Sequence, residues 1–301
     1  MNIAIIYHDA DFDGKLSRDV CHHFLSQKNP GANITTIGWD YGRETPDVSE
    51  FGTVYIVDLS IDGLMSQPAL LDKIVWIDHH RTAIEKYQHT FIGGVQIDGV
   101  AACRLCWAWF TSTEPLVLEA DEFIRHRDDE PLLIYLAGIY DVWAKENADF
   151  EAAKNLQFGL RALSEDAYKL LIGEQFNTQS SCILESALDY GWKLRAFCQM
   201  QNDQYASQFS HTLVWEGLTF IALNIGQRGN SDLLKGGIDH RHQACFAWRY
   251  DGTGVIVSLY HIAGHEHHDL SAIAKRYGGG GHKGACGFRL TLVQLANIFG
   301  Q

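Results

Sequence analysis

Ile74-Val75-Trp76-Ile77-Asp78-His79-His80 is an apolar run ending in a carboxylate and two imidazoles, and the chain repeats that arrangement. Residues 3–7 run into His8-Asp9-Ala10-Asp11-Phe12-Asp13-Gly14, and residues 54–57 run into Asp58-Leu59-Ser60. Short β-branched and aromatic runs that stop at polar residues read as buried strands. In a parallel α/β sheet the carboxyl ends of the strands line one crevice, where ligands bind. The pattern predicts that these carboxylates and imidazoles gather in one place. Packed acids repel unless something positive lies between them, so a metal site is the natural reading.

The rest of the first half alternates in the same way. Residues 15–27 have helical spacing, 33–38 are β-rich, and 101–110 and 132–140 read as apolar helices, the last closing at Asp141. Strands alternating with helices predict a parallel sheet with helices on both faces. Residues 181–208 carry hydrophobics at helical spacing, with an interior Gly191, and read as a long linker helix. Strand-like runs at 211–215, 218–224, 244–248 and 255–260, then a helix at 270–277, predict a smaller α/β domain. The expected boundaries are 1–180, 181–208 and 209–301.

Composition narrows the function classes. Hydrophobic residues make up 46% of the 301, enough for real cores. No apolar stretch approaches the roughly 20 residues that span a bilayer. The start, Met1-Asn2-Ile3-Ala4-Ile5, has no basic region, so no signal peptide and no membrane partner are expected. Seven scattered cysteines suggest a reducing, cytoplasmic setting rather than a disulfide scaffold. Cys103-Arg104-Leu105-Cys106 has no second such pair and reads as part of an apolar helix. A net charge of −13 argues against a protein that coats long nucleic acid. Residues 271–301 nevertheless hold Lys275, Arg276, Lys283 and Arg289 and no acid, which suggests a small anionic ligand or a short stretch of nucleic acid.

Individual motifs carry different weight. His8, Asp11 and Asp13 could supply two metals from one turn, or simply cap the following helix. Carboxylate plus imidazole suits Mn2+, and also Fe2+ or Zn2+, better than Mg2+. Gly278-Gly279-Gly280-Gly281-His282-Lys283-Gly284 lets backbone N–H groups approach an anion, with His282 and Lys283 adding donors and charge. His265-Glu266-His267-His268 reads as a solvated loop rather than a second metal site. Asp128-Asp129-Glu130 reads as a solvated helix start, and the eight tryptophans as core.

Taken together, HDADFDG at 8–14, VDLS at 57–60, DHHR at 78–81, Asp141 and GGGGHKGACGF at 278–288 resemble the DHH phosphoesterase superfamily with its DHH-associated C-terminal domain. The spacing and length are most similar to the nanoRNases, the short-oligonucleotide phosphodiesterases. The resemblance implies a catalytic metal-binding domain, a linker helix and a substrate-binding domain. It implies two divalent cations, usually Mn2+. His8, Asp11 and Asp58 would hold one, and Asp13, Asp58, His79 and Asp141 the other, with Asp58 bridging. His80 would face the scissile phosphate, with Asp58 and His80 as catalytic residues. Arg81, Gly279, Gly280, Gly281, His282 and Lys283 would bind substrate, and Asp9 would be a supporting residue. Where the family often has Ser-Leu-Arg-Ser, this chain has Ser258-Leu259-Tyr260-His261, so Arg228, Arg249 or Arg276 is expected to supply the missing cation.

The expected reaction is two-metal hydrolysis of short RNA, DNA or linear dinucleotides to 5′-mononucleotides. Hydrolysis of cyclic dinucleotides, 3′-phosphoadenosine 5′-phosphate, pyrophosphate or polyphosphate stays open as an alternative, as does an inactive nucleotide-binding scaffold. A homodimer also stays open.

Overall fold

The computed structural model describes residues 1–112, 120–123, 127–178, 181–226 and 231–300. The chain divides into two compact units, Met1–Leu194 and Arg195–Gln301.

The first unit is built on five parallel strands: β1 (Asn2–His8), β2 (Asn33–Trp39), β3 (Thr53–Val57), β4 (Ile74–Asp78) and β5 (Gly93–Gln96), in the order β2-β1-β3-β4-β5. Alternation along β1 explains its two-sided burial. Ile3 and Ile5 enter one core with Val57 and Ile77, while Ala4 and Ile6 enter another with Ile56 and Trp76. The first core takes residues of α1 (Phe12–Lys28), α5 (Ala102–Thr111), α6 (Leu132–Asp141) and α7 (Phe150–Ala162). The second takes residues of α2 (Asp62–Met65) and α4 (Arg81–Tyr87), next to α3 (Pro68–Leu71). Helices therefore cover both faces, as the alternation predicts. The strand order reverses beside β1, which makes the carboxyl ends of β1 and β3 the walls of the switch-point crevice.

After α8 (Glu165–Thr178) comes α9 (Cys182–Phe209). The division between the units falls inside α9 at Leu194/Arg195, not at the two ends that the reading of a separate linker expects. Gly191 has a packing reason: a Cβ there would strike the Asn155 carbonyl of α7, and one at Gly159 would strike the Ala187 carbonyl.

The second unit holds β6 (His211–Trp215), β7 (Leu218–Asn224), β8 (Ala244–Tyr250), β9 (Val255–His261), β10 (Gly280–His282) and β11 (Ala285–Leu290), ordered β10-β11-β9-β8-β7-β6. Among the described residues of this unit, only the β7–β8 pair is parallel. The C-terminal part of α9 belongs to this unit, together with α10 (Leu270–Arg276) and α11 (Leu292–Phe299). Part of the glycine run is regular structure. Gly280 to His282 form an edge strand paired with Cys286 and its neighbours, so part of that backbone bonds within the sheet. A Cβ at Gly279 would strike the Gly287 carbonyl, which gives that glycine a packing role.

Three further expectations change. Glu130 is buried, not solvated, and makes a bidentate ion pair with the buried Arg104 at 2.7 and 2.8 Å. Trp192 is exposed on α9. Two cations of the basic tail are already paired, Arg276 with Glu216 and Arg289 with Asp251 at 2.8 Å. Among the described residues no helix is long and apolar enough to cross a membrane.

Candidate metal centre

Each candidate ligand sits where its strand or helix ends. His8 closes β1, Asp11 caps α1, and Asp13 lies in its first turn. Asp58 follows β3, His79 follows β4, and Asp141 is the last residue of α6. Gly14 permits this crowding: a Cβ there would strike the His8 carbonyl, so α1 could not start so close to the end of β1. Asp13 is buried, and both its oxygens accept hydrogen bonds from the N-terminus of α5, from Ala102 N at 2.8 Å and Cys103 N at 2.7 Å. Backbone donors and the positive helix end hold that charge in place.

Asp58 stands between two groups. Its Oδ2 lies 3.5 Å from His8 Nδ1, and its Oδ1 lies 3.3 Å from His79 Nε2. On the first side, His8 Nδ1 is 3.2 Å from Asp11 Oδ2. On the second, the single nitrogen His79 Nε2 also faces Asp141 Oδ2 at 3.3 Å and Asp13 Oδ2 at 3.6 Å. The ligand atoms of His8, Asp11 and Asp58 lie within 4.8 Å of one another, as do those of Asp13, His79 and Asp141.

The donor set fits divalent cations. His8 Nδ1 and Asp58 Oδ2 are buried and face each other, yet among the described residues neither has a hydrogen-bond partner. Their separation suits an ion pair, but they are not aligned for a hydrogen bond. One imidazole proton cannot serve the three carboxylates around His79. Burial, then the neighbouring Asp13 charge, pushes the Asp58 carboxyl well up, and burial with Asp13 and Asp58 does the same to Asp141. Asp11, then Asp58, pushes the His8 imidazole up to about 11. Without added positive charge this cluster retains protons, and cations would replace them.

His80 is held differently. Its Nδ1 lies 2.7 Å from Asp78 Oδ1, and the same oxygen accepts from the His79 and His80 amides at 2.8 and 3.2 Å. The Asp78 hydrogen bond raises the His80 imidazole above its ordinary value. Asp78 thus orients the His80 ring rather than joining the ligand group. Sequence reading also passed over Asp40, whose Oδ1 lies 3.5 Å from His8 Nε2. It follows β2 directly, so the rule applied to the other strand ends would have found it.

The remaining candidates lie elsewhere. Arg81 is exposed in the first turn of α4 and bonds Glu85 at 2.8 Å. Asp9 pairs with Arg43 at 2.9 Å. Gly279, Gly280, Gly281, His282 and Lys283 belong to the second unit, where His282 and Lys283 are exposed at the tip of the β10–β11 hairpin. Arg276 is tied to Glu216, and Arg228 lies outside the described residues.

Paired acid–imidazole groups at the switch point of a parallel sheet define an α/β protein built around a candidate two-cation centre. No family model matches the chain. Oligoribonuclease NrnB of Bacillus subtilis (strain 168) is 28% identical over 229 residues, covering 73% of this chain and 53% of that protein. The chain thus spans about half the length of the curated relative it matches. The solved structure of the pGpG-specific phosphodiesterase PggH from Vibrio cholerae has a TM-score of 0.56 and 12% identity, covering 100% of this chain and 97% of that one. RecJ of Thermus thermophilus in complex with Mn2+ gives a TM-score of 0.50 and 13% identity, covering 99% and 51%. At such identities these two structures speak for the fold. The curated relative and the shared fold accord with the resemblance of the motifs to the DHH phosphoesterases, most like the nanoRNases.

Proposed function

We propose that the chain is a metal-dependent phosphodiesterase that hydrolyses short oligonucleotides or linear dinucleotides to 5′-mononucleotides. The observation that carries this reading is Asp58, a buried carboxylate with one oxygen toward His8 and the other toward His79. That is how one residue would bridge two cations. His8, Asp11 and Asp58 would hold one cation, and Asp13, Asp58, His79 and Asp141 the other; the mixed oxygen and nitrogen set favours Mn2+. When bound, such a pair lowers the pKa of a water and neutralises charge on the phosphate. The protein's own part is to fix the geometry and to place the His80 ring, oriented by Asp78, against the phosphate. Arg81 of the first unit aside, His282, Lys283 and the neighbouring glycines of the second would bind a phosphate of the substrate.

The choice of a nucleotide is supported by a cavity of about 740 Å3 in the first unit, lined by Phe12, Lys15, Arg161 and Tyr168 among others. Phe12 lies between two candidate ligands, and Lys15 sits over its ring at 5.4 Å. Aromatic faces beside cations are what stacked bases and their phosphates need. The names of the relatives, an oligoribonuclease and a pGpG phosphodiesterase, point the same way.

The test is turnover with Mn2+ on pGpG, a short RNA, a long RNA, a cyclic dinucleotide and pyrophosphate. Dinucleotide and short RNA are expected to be cleaved fastest. Rapid pyrophosphate cleavage with untouched dinucleotide would reject the proposal.

A further inference from the structure

The loop between β9 and α10 carries three imidazoles that the proposed reaction does not use. His265, His267 and His268 each place a ring nitrogen within 4.8 Å of the other two. The His267 and His268 rings are 3.9 Å apart, and the His265 ring is 6.0 Å from each. The loop is folded by its own backbone, with His265 N donating to the Ile262 carbonyl at 3.0 Å and His268 N to the His265 carbonyl at 3.3 Å. His265 and His268 are half-buried, so the solvated loop expected from the sequence is only partly solvated. His265 Nδ1 and His268 Nε2 are buried and, among the described residues, have no hydrogen-bond partner. Buried polar atoms left alone cost free energy, and in native proteins they normally meet a partner, a water or an ion.

We propose that His265, His267 and His268 form a second metal site, separate from the aspartate-rich centre, that takes a late first-row divalent cation such as Zn2+. Three neutral imidazoles in a compact group match a tetrahedral Zn2+ site whose fourth position is open. Tetrahedral Zn–N bonds of about 2.0–2.1 Å place the ligand nitrogens roughly 3.4 Å apart, inside the 4.8 Å that bounds these three. The exposed His267 leaves the solvent side free for water. An all-imidazole site disfavours Mg2+ and Mn2+, whereas the mixed oxygen and nitrogen centre accepts them.

The loop is also bonded to the glycine hairpin. His261 N donates to the Gly284 carbonyl and Leu270 N to the Lys283 carbonyl, both at 3.0 Å, while the His261 ring donates through Nε2 to the His268 carbonyl at 2.7 Å. An ion on the three imidazoles would therefore stiffen the turn that presents Lys283. Only this consequence for substrate rests on the function proposed above; the site itself does not.

The test is Zn2+ titration of the full chain by calorimetry, with sites counted against the aspartate-rich centre, which through His8 and His79 also takes Zn2+ and is the same in every protein compared. Wild type is compared with His267→Gln, at an exposed position that keeps the fold, and with His265→Ala/His268→Ala. Wild type should bind one Zn2+ more than the double variant, and that additional site should weaken at least about tenfold in His267→Gln. Equal Zn2+ stoichiometry and affinity in wild type and His267→Gln would overturn the site. Mn2+-supported turnover without Zn2+, expected in all three proteins, reports separately on the aspartate-rich centre.

Discussion

Asp58 has φ 62°, in the left-handed region that few residues other than glycine adopt. Aspartate and asparagine tolerate it best, because their short polar side chains bond locally. The turn is anchored by Asp58 N, which donates to the Ile77 carbonyl at 2.9 Å, and it sends the carboxylate into the crevice. Asp58→Asn is therefore expected to fold, with unchanged or higher Tm in chelator, since one buried acid among acids is neutralised. Its Mn2+ stoichiometry should fall, and turnover should drop by roughly a hundredfold or more. Wild-type stoichiometry and rate in this variant would remove the bridge. Asp78→Asn tests a different role. The ligand residues remain, but the bond that orients His80 changes, so kcat should fall about 10- to 100-fold with metal content retained. Equal kcat would show that Asp78 does not position the ring. At this scale the ligand types were legible because they all follow apolar runs. Asp78 was visible but its partner was not, since only coordinates show which side chain its carboxylate meets.

Helices and strands were legible where their residues are periodic, and obscure where long-range contacts decide. Nothing in the local pattern shows that Glu130 meets Arg104, because charge runs normally stay in water. The glycines at 279–281 read as an anion-binding loop because small residues permit close backbone approach. Here part of that approach is to β11, an equally good use of a missing Cβ. Gly191 shows the same competition in a helix. Alanine in place of a helical glycine gains up to about 1 kcal/mol from propensity. At 191 the new Cβ would meet the Asn155 carbonyl, and overpacking costs about 1–3 kcal/mol. Gly191→Ala is expected to lower Tm. Gly173→Ala, in α8 with open space around it, is expected to raise Tm by the propensity gain alone. If both variants shift Tm upward, the α7–α9 contact is looser than the structure shows.

Across the molecule, the acidic balance matters more than any single cation. The net charge is −13, and two divalent ions would cancel only part of it. Two arginines of the basic tail are paired with Glu216 and Asp251, which leaves fewer free cations than the sequence suggests. A long polyanion approaching this surface is repelled over roughly a Debye length, about 10 Å at 0.1 M salt. A dinucleotide carries little charge beyond the groups that bind it and feels much less of that field. The sign of the salt effect follows. Proteins that hold nucleic acid by many phosphate contacts lose affinity steeply as salt rises. Here salt should instead screen the repulsion, so raising NaCl from about 0.05 to 0.2 M should narrow the ratio of kcat/KM for pGpG over that for a 24-nucleotide RNA. Measuring both substrates at each salt, with Mn2+ held constant, cancels effects on the metal centre. A ratio that widens with salt would mean that long strands are drawn in by a basic track, and that their exclusion has a steric origin instead.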